Sequence, residues 1–117
     1  MTLYPPLEVS AREAGGIHYL QVHGRLVLGE PSEHLDDFTQ KLLQNGARKL
    51  VVNLKDIPQI DSSGISSLVK LSMFLARQGG GLRLVCGPGR VRDALTVTHL
   101  VEAIPTFDSE QAAASGF

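Results

Sequence analysis

From position 50 to 54 the chain reads Leu-Val-Val-Asn-Leu. A run this short, this apolar and this unbroken reads as a central strand covered on both faces, because a half-exposed strand would alternate apolar with polar residues. Such a strand needs other layers packed on it, and the rest of the chain supplies the segments to build them. Leu7 to Ser10 and Ile17 to Val22 have strand character and are joined through Gly15 and Gly16, a hairpin signal. Gly24, Arg25 and Leu26 lead to a break at Gly29, Glu30 and Pro31. A helix is expected next, with Pro31 in its first turn and Glu33, Asp36 and Asp37 near its positive end. Leu35, Phe38 and Leu42 form its apolar stripe, and Asn45 and Gly46 its stop.

Beyond the central run, Pro58 turns the chain into Ile60-Asp61-Ser62-Ser63-Gly64. Ile65, Leu68, Val69, Ser72, Leu75 and Ala76 then recur at helical spacing up to Gly79 to Gly81. Leu82 to Cys86 reads as another strand, Gly87-Pro88-Gly89 as a turn, and Val91, Ala94, Leu95 and Thr98 as the stripe of a further helix. Ile104 to Phe107 suits a short edge strand, where the missing N–H of Pro105 does no harm. Asp108 and Gln111 have capping-box spacing for a last helical turn, and Ala112 to Phe117 reads as a frayed end. Strands alternating with helices imply a layered α/β sheet, with antiparallel pairing on its N-terminal side.

The length of 117 residues suits one domain spanning 1–117, with a core over about 7–113. A net charge of −1 gives the chain no general attraction to nucleic acid or to an anionic membrane. No apolar run approaches the ~18 residues that cross a bilayer, and Met1 to Pro6 has neither a basic patch nor an apolar signal core. Cys86 is the single cysteine, which fits a cytoplasmic location. His18, His23, His34 and His99 are scattered without metal-ligand spacing and read as surface or loop residues, so no metal or cofactor is expected.

Asp61-Ser62-Ser63-Gly64 lies where a buried strand hands over to a helix N-terminus. Backbone N–H groups there lack intrahelical partners and the helix dipole is positive, so a hydroxyl at that point can become a phosphate without opposing the local field. The same residues also read as a plain helix cap, with Asp61 or Ser62 as cap and Gly64 easing the turn, worth about 1 kcal/mol. The two readings are compatible. At ~100° per residue, the face opposite Ile65, Leu68 and Val69 carries Ser63, Ser67, Lys70 and Phe74, with Leu71 on its flank. That face is a candidate docking stripe; the alternative is that Phe74 packs under a neighbouring helix.

Several elements, taken in order, resemble the STAS domain, and within it the anti-sigma factor antagonists. Gly24-Arg25-Leu26 looks like the family's Gly-x-Leu element. Leu50 to Leu54 followed by Ile60 to Gly64 looks like its central strand and phosphoacceptor loop. Gly80 to Val85 with Pro88, Val91, Leu95, Thr98 and Leu100 looks like the following strand and helix, and Phe107 to Ala112 like the closing step. The resemblance implies a mixed sheet of four to five strands with helices packed largely on one side. It implies no enzyme. It also implies that Ser62 accepts phosphate from a partner anti-sigma factor that is itself a serine kinase, and that the unphosphorylated form captures that partner. A phosphatase would reset the switch. Asp61 would orient the hydroxyl or bias the kinase encounter, and Ser63 and Gly64 would form the helix start that the kinase reads. Ser67, Lys70, Leu71 and Phe74 would face the partner. The chain departs from the family at Val27, where an acidic residue is common, with Leu28 and Gly29 also unusual, and at His99, where a glycine commonly ends the third helix.

Two other classes remain. Similar STAS domains serve as subunits docking on an ABC-type lipid-transport ATPase, which would leave Ser62 an interface residue without a kinase. Gly87 to Arg92 follows a strand and opens a helix like a phosphate loop, yet Arg92 takes the place of the third glycine of the dinucleotide fingerprint and no Walker lysine follows.

Overall fold

In a computed structural model, residues 6–117 are described; the reading of the N-terminal stretch lies, up to residue 5, outside them. Ten elements follow one another: β1 (Glu8–Ala14), β2 (Ile17–His23), α1 (Glu30–Gln44), β3 (Lys49–Asp56), α2 (Ser62–Arg77), β4 (Gly81–Val85), α3 (Arg90–Val97), α4 (Leu100–Ala103), β5 (Thr106–Phe107) and α5 (Glu110–Ala114). The five strands form one sheet in sequence order, β1-β2-β3-β4-β5. β1 and β2 pair antiparallel and every later pair is parallel. Gly15 and Gly16 both take positive φ, 60° and 81°, which a two-residue hairpin turn of matching twist requires. The parallel pairs need crossovers, supplied by α1, by α2, and by α3 with α4.

β3 lies at the centre, and its alternation explains the unbroken apolar run. Leu50, Val52 and Leu54 join Leu20, Val22 and Leu84 in the main core, against Leu35 of α1, Leu68 and Leu75 of α2, Leu95 of α3 and Leu100 of α4. Val51 looks the other way, into a small cluster with Ile17, Val85 and Ala113 of α5, flanked by Tyr19, Phe107 and Phe117. Four helices therefore cover one face and a single short helix the other, as expected of the fold. Among the described residues no helix is long and apolar enough to cross a membrane.

Asn53, the polar residue in that run, is buried on the α5 side. Its Nδ2 donates to Glu110 at 3.3 Å and its Oδ1 accepts from the Lys55 backbone at 2.9 Å, so the side chain is satisfied. Glu110 also takes a 2.8 Å hydrogen bond from Arg12, whose guanidinium stacks 4.5 Å from the Tyr19 ring. The Arg12 hydrogen bond, foremost, holds the Glu110 carboxyl below its ordinary range.

The C-terminal end differs from its reading. The cap of α5 is Ser109, whose hydroxyl accepts from Ala112 N at 3.1 Å, and not Asp108. The segment expected to fray is tied down: Arg83 donates to the carbonyls of Ala113 and Ser115 at 2.9 and 2.8 Å and lies 4.2 Å from the Phe117 ring. β5 is confined to Thr106 and Phe107, with Pro105 reduced to an acceptor for Leu84 N at 2.9 Å. Of the histidines, His18 is not in a loop but half-buried on β2, its Nδ1 buried with no hydrogen-bond partner among the described residues and its Nε2 3.5 Å from Glu13. His99 adopts φ 62°, the left-handed backbone that favours glycine, at the junction of α3 and α4.

Candidate functional site at the start of α2

Two crossover loops lie side by side at the end of the sheet where β2 and β3 finish. Leu26 forms an isolated parallel bridge with Ile60. Leu26 N donates to Gln59 O at 3.0 Å, and Asp61 N donates to Leu26 O at 3.3 Å. Arg25 Nε adds a 2.8 Å bond to the Gln59 side chain. The Gly-x-Leu element is therefore the strip to which the Ile60–Gly64 segment is fastened.

Asp61 completes the joint. Oδ1 accepts from Ser63 N at 2.9 Å and Gly64 N at 3.2 Å, capping α2, while Oδ2 accepts from Leu28 N at 3.0 Å across the loop boundary. Partial burial works against the charge, but the N–H groups of Leu28, Gly64 and Ser63, with its own, outweigh it and hold the carboxyl below the ordinary aspartate value. The resemblance implied that Asp61 orients the Ser62 hydroxyl or biases the kinase encounter, and the spacing offered Asp61 or Ser62 as a helix cap; Asp61 is the cap, and its oxygens engage three backbone N–H groups. Gly64 is buried. A Cβ there would sit 2.6 Å from Leu26 O and 2.8 Å from Ile60 Cγ1, so the close approach of the two loops requires glycine.

A pH dependence follows. Unfolded, Asp61 would ionise near its reference value of about 3.9; folded, it ionises lower. The stability it contributes is complete above the unfolded value and is lost as pH falls through the folded one. Between about pH 5 and pH 3, the thermal midpoint of the wild type is expected to drop more steeply than that of Asp61→Asn, which keeps a capping oxygen without the titration. Parallel curves would contradict this.

Ser62 occupies the first helical position after that cap and is exposed, and among the described residues its hydroxyl makes no hydrogen bond. Ser63 is half-buried. Fixed backbone below and open hydroxyl above is the arrangement a modifiable serine needs.

Further along α2 the expected docking stripe is corrected. Ser67 and Leu71 are 5% and 7% exposed and belong to the interior. The helix has two covered sides, the sheet beneath and α1 alongside, and these residues turn toward α1. With Thr39 and Leu43 they line a groove of about 440 Å³ between the two helices. Lys70 and Phe74 stand at its exposed rim, Lys70 within 3.8 Å of Asp36. Sequence reasoning gave no site role to Leu28, 76% exposed, or Met73, 51% exposed. Met73 carried a signal, since eleven residues beyond Ser62 returns to nearly the same face of a helix.

At the rival loop, Arg92 donates to Cys86 O at 2.7 Å and lies 3.8 Å from Asp108, so it closes the turn from within. Gly89, at φ 143°, precedes α3 without a side-chain cap. A hollow of about 670 Å³ lies nearby, lined by His23, Arg25, Asp56 and Arg90 and not by Ser62.

The STAS domain profile matches residues 8–113. No curated protein matches the sequence significantly. Among solved structures, the chain is similar to an anti-sigma factor antagonist from Mycobacterium paratuberculosis, with TM-score 0.80 and 17% identity over 92% of this chain and 90% of that one. It is similar to a candidate anti-sigma factor antagonist from Thermotoga maritima, with TM-score 0.84 and 21% identity over 90% of each chain. It also resembles the anti-sigma factor antagonist SpoIIAA in its unphosphorylated form, with TM-score 0.75 and 17% identity over 90% of this chain and 92% of that one. The phosphorylated form from Bacillus gives TM-score 0.68 and 16% identity over 90% and 96%. At these identities the likeness to solved structures is one of fold, and the profile, which spans nearly all of the described strands and helices, shows that the chain belongs to the STAS domain family.

Proposed function

We propose that this chain is an anti-sigma factor antagonist: unphosphorylated, it binds an anti-sigma factor that is a serine kinase, and phosphorylation of Ser62 releases it. A phosphatase restores the binding form, and sigma-factor-dependent transcription is the output. The observation that carries the reading is the exposed Ser62 hydroxyl on a backbone held by Asp61. The family membership and the names of the similar structures support it.

The chain supplies only the acceptor. Ser62 Oγ forms the new bond to the γ-phosphorus of ATP, ADP leaves, and the hydroxyl proton passes to a base on the kinase. The product carries about −1.5 to −2 charges at the positive end of α2, where the scaffold tolerates them. A docked partner does not, because it must desolvate that charge or face it with its own. Val27 and Leu28 at the adjoining loop give the partner an apolar border where the family often has an acidic one.

The test uses the purified chain in complex with the anti-sigma factor kinases of its own genome, followed by gel filtration. Addition of ATP is expected to release the wild type and to leave Ser62→Ala bound. Release of both would refute the role of Ser62. Failure of the wild type to bind any such kinase, with binding to an ABC-type ATPase instead, would refute the switch itself in favour of a transport subunit.

A further inference from the structure

We propose that the outer edge of β1 is a homodimer interface, where a second copy of this chain pairs antiparallel about a two-fold axis at Ser10; the inference is independent of the reading of Ser62. β1 is an edge strand of seven residues, six of them exposed, and it pairs with β2 without a bulge from Glu8↔His23 to Ala14↔Ile17. The other edge strand, β5, has two residues. α5 packs on β3, β4 and β5, and apart from its bond to Arg12 no helix packs extensively on β1. The strand has neither the proline, the lysine nor the bulge that commonly closes an edge to another strand.

Symmetry and charge select the occupant. Ala14 and Ile17 close the two-residue turn at Gly15-Gly16 and so exchange hydrogen bonds, as do alternate pairs back to Glu8 and His23. Val9, Ala11 and Glu13 therefore aim their N–H and C=O groups away from β2, where a second strand would meet them. Two copies of one strand related by a two-fold axis have few registers to choose from. With Glu8, Arg12 or Glu13 on the axis, like charges stand directly opposite. With Leu7, Val9 or Ala11 on it, Glu8 and Arg12 meet no opposite charge. With Ser10 on it, Glu8 of each copy faces Arg12 of the other, and Val9 and Ala11 exchange the backbone bonds. Pro6 then falls opposite Ala14, where this ladder requires no N–H. The Glu8 and Arg12 pairs are of the non-hydrogen-bonded kind, with Cα atoms about 4.5 Å apart and side chains at their closest. Arg12 uses one terminal nitrogen for Glu110 and has other donors to offer. Glu8 is exposed and forms no ion pair among the described residues.

The test is sedimentation equilibrium of the purified chain from micromolar to millimolar concentration, with melting curves on the same samples. The wild type is expected to dimerise. Glu8→Arg and Arg12→Glu are each expected to weaken the dimer about tenfold or more, because each sets like charges opposite one another. An equimolar mixture of the two is expected to restore it, since both cross-strand pairs are then of opposite sign. Arg12→Glu also loses the bond to Glu110, so Ser10→Cys gives a second readout that leaves that bond in place. Mild oxidation is expected to join two copies through Ser10→Cys, whereas Glu13→Cys, about 20 Å from its counterpart in this register, stays single. A monomer at every concentration would overturn the interface. So would a dimer that both charge variants retain, a mixture of folded variants that fails to restore it, or equal cross-linking of the two cysteine variants.

Discussion

Ser62→Asp is expected to weaken binding of the anti-sigma factor by about a hundredfold or more while leaving the thermal midpoint within roughly 2 °C of wild type. The two halves of this result come from the same position seen from opposite sides. From within, Ser62 is the first residue of α2 after the Asp61 cap, where backbone N–H groups point outward and the helix dipole favours a negative charge. The new carboxylate points into solvent and breaks no hydrogen bond of the described residues. From outside, the same carboxylate meets a partner that has to strip its water. No acidic residue of the wild type lies in that first turn, so the charge is new to the surface. Calorimetric titration and a melting curve on one preparation give both numbers. A large fall in the midpoint would mean that the serine is structural; unchanged affinity would mean that no partner covers it.

Gly64→Ala should do the reverse and damage the scaffold, at a cost of about 2–4 kcal/mol and a fall of roughly 10 °C in the midpoint. The added carbon would stand 2.6 Å from Leu26 O and 2.8 Å from both Leu26 Cγ and Ile60 Cγ1. The Leu26 carbonyl is held in place, because it accepts the Asp61 N–H that joins the two loops. Gly87→Ala is the control. Nothing lies within 4 Å of a Cβ at that position, and its midpoint should stay close to wild type. If Gly64→Ala melts with Gly87→Ala, the packing of the two loops is looser than described.

Much of this architecture was legible because it is written in local pattern. The run from Leu50 to Leu54 announced a strand buried on both faces, and Leu50 and Val51 do enter different clusters. Gly15-Gly16 announced the hairpin, and the order of elements announced parallel pairing with helical crossovers. The misreadings share another cause. A helical wheel fixes which residues share a face but not how many neighbours cover the helix, so Ser67 and Leu71 looked available until α1 was seen beside them. The C-terminal segment looked frayed because what holds it is Arg83, some thirty residues earlier. The bond from Leu28 N to Asp61 was not legible at all, because it spans 33 positions, a distance at which local spacing is silent.

The intact mass of the chain after incubation with ATP and its anti-sigma factor kinase tests the central claim most directly. The account predicts one added phosphate on the wild type and none on Ser62→Ala. A phosphate on both proteins, or on neither, would contradict it.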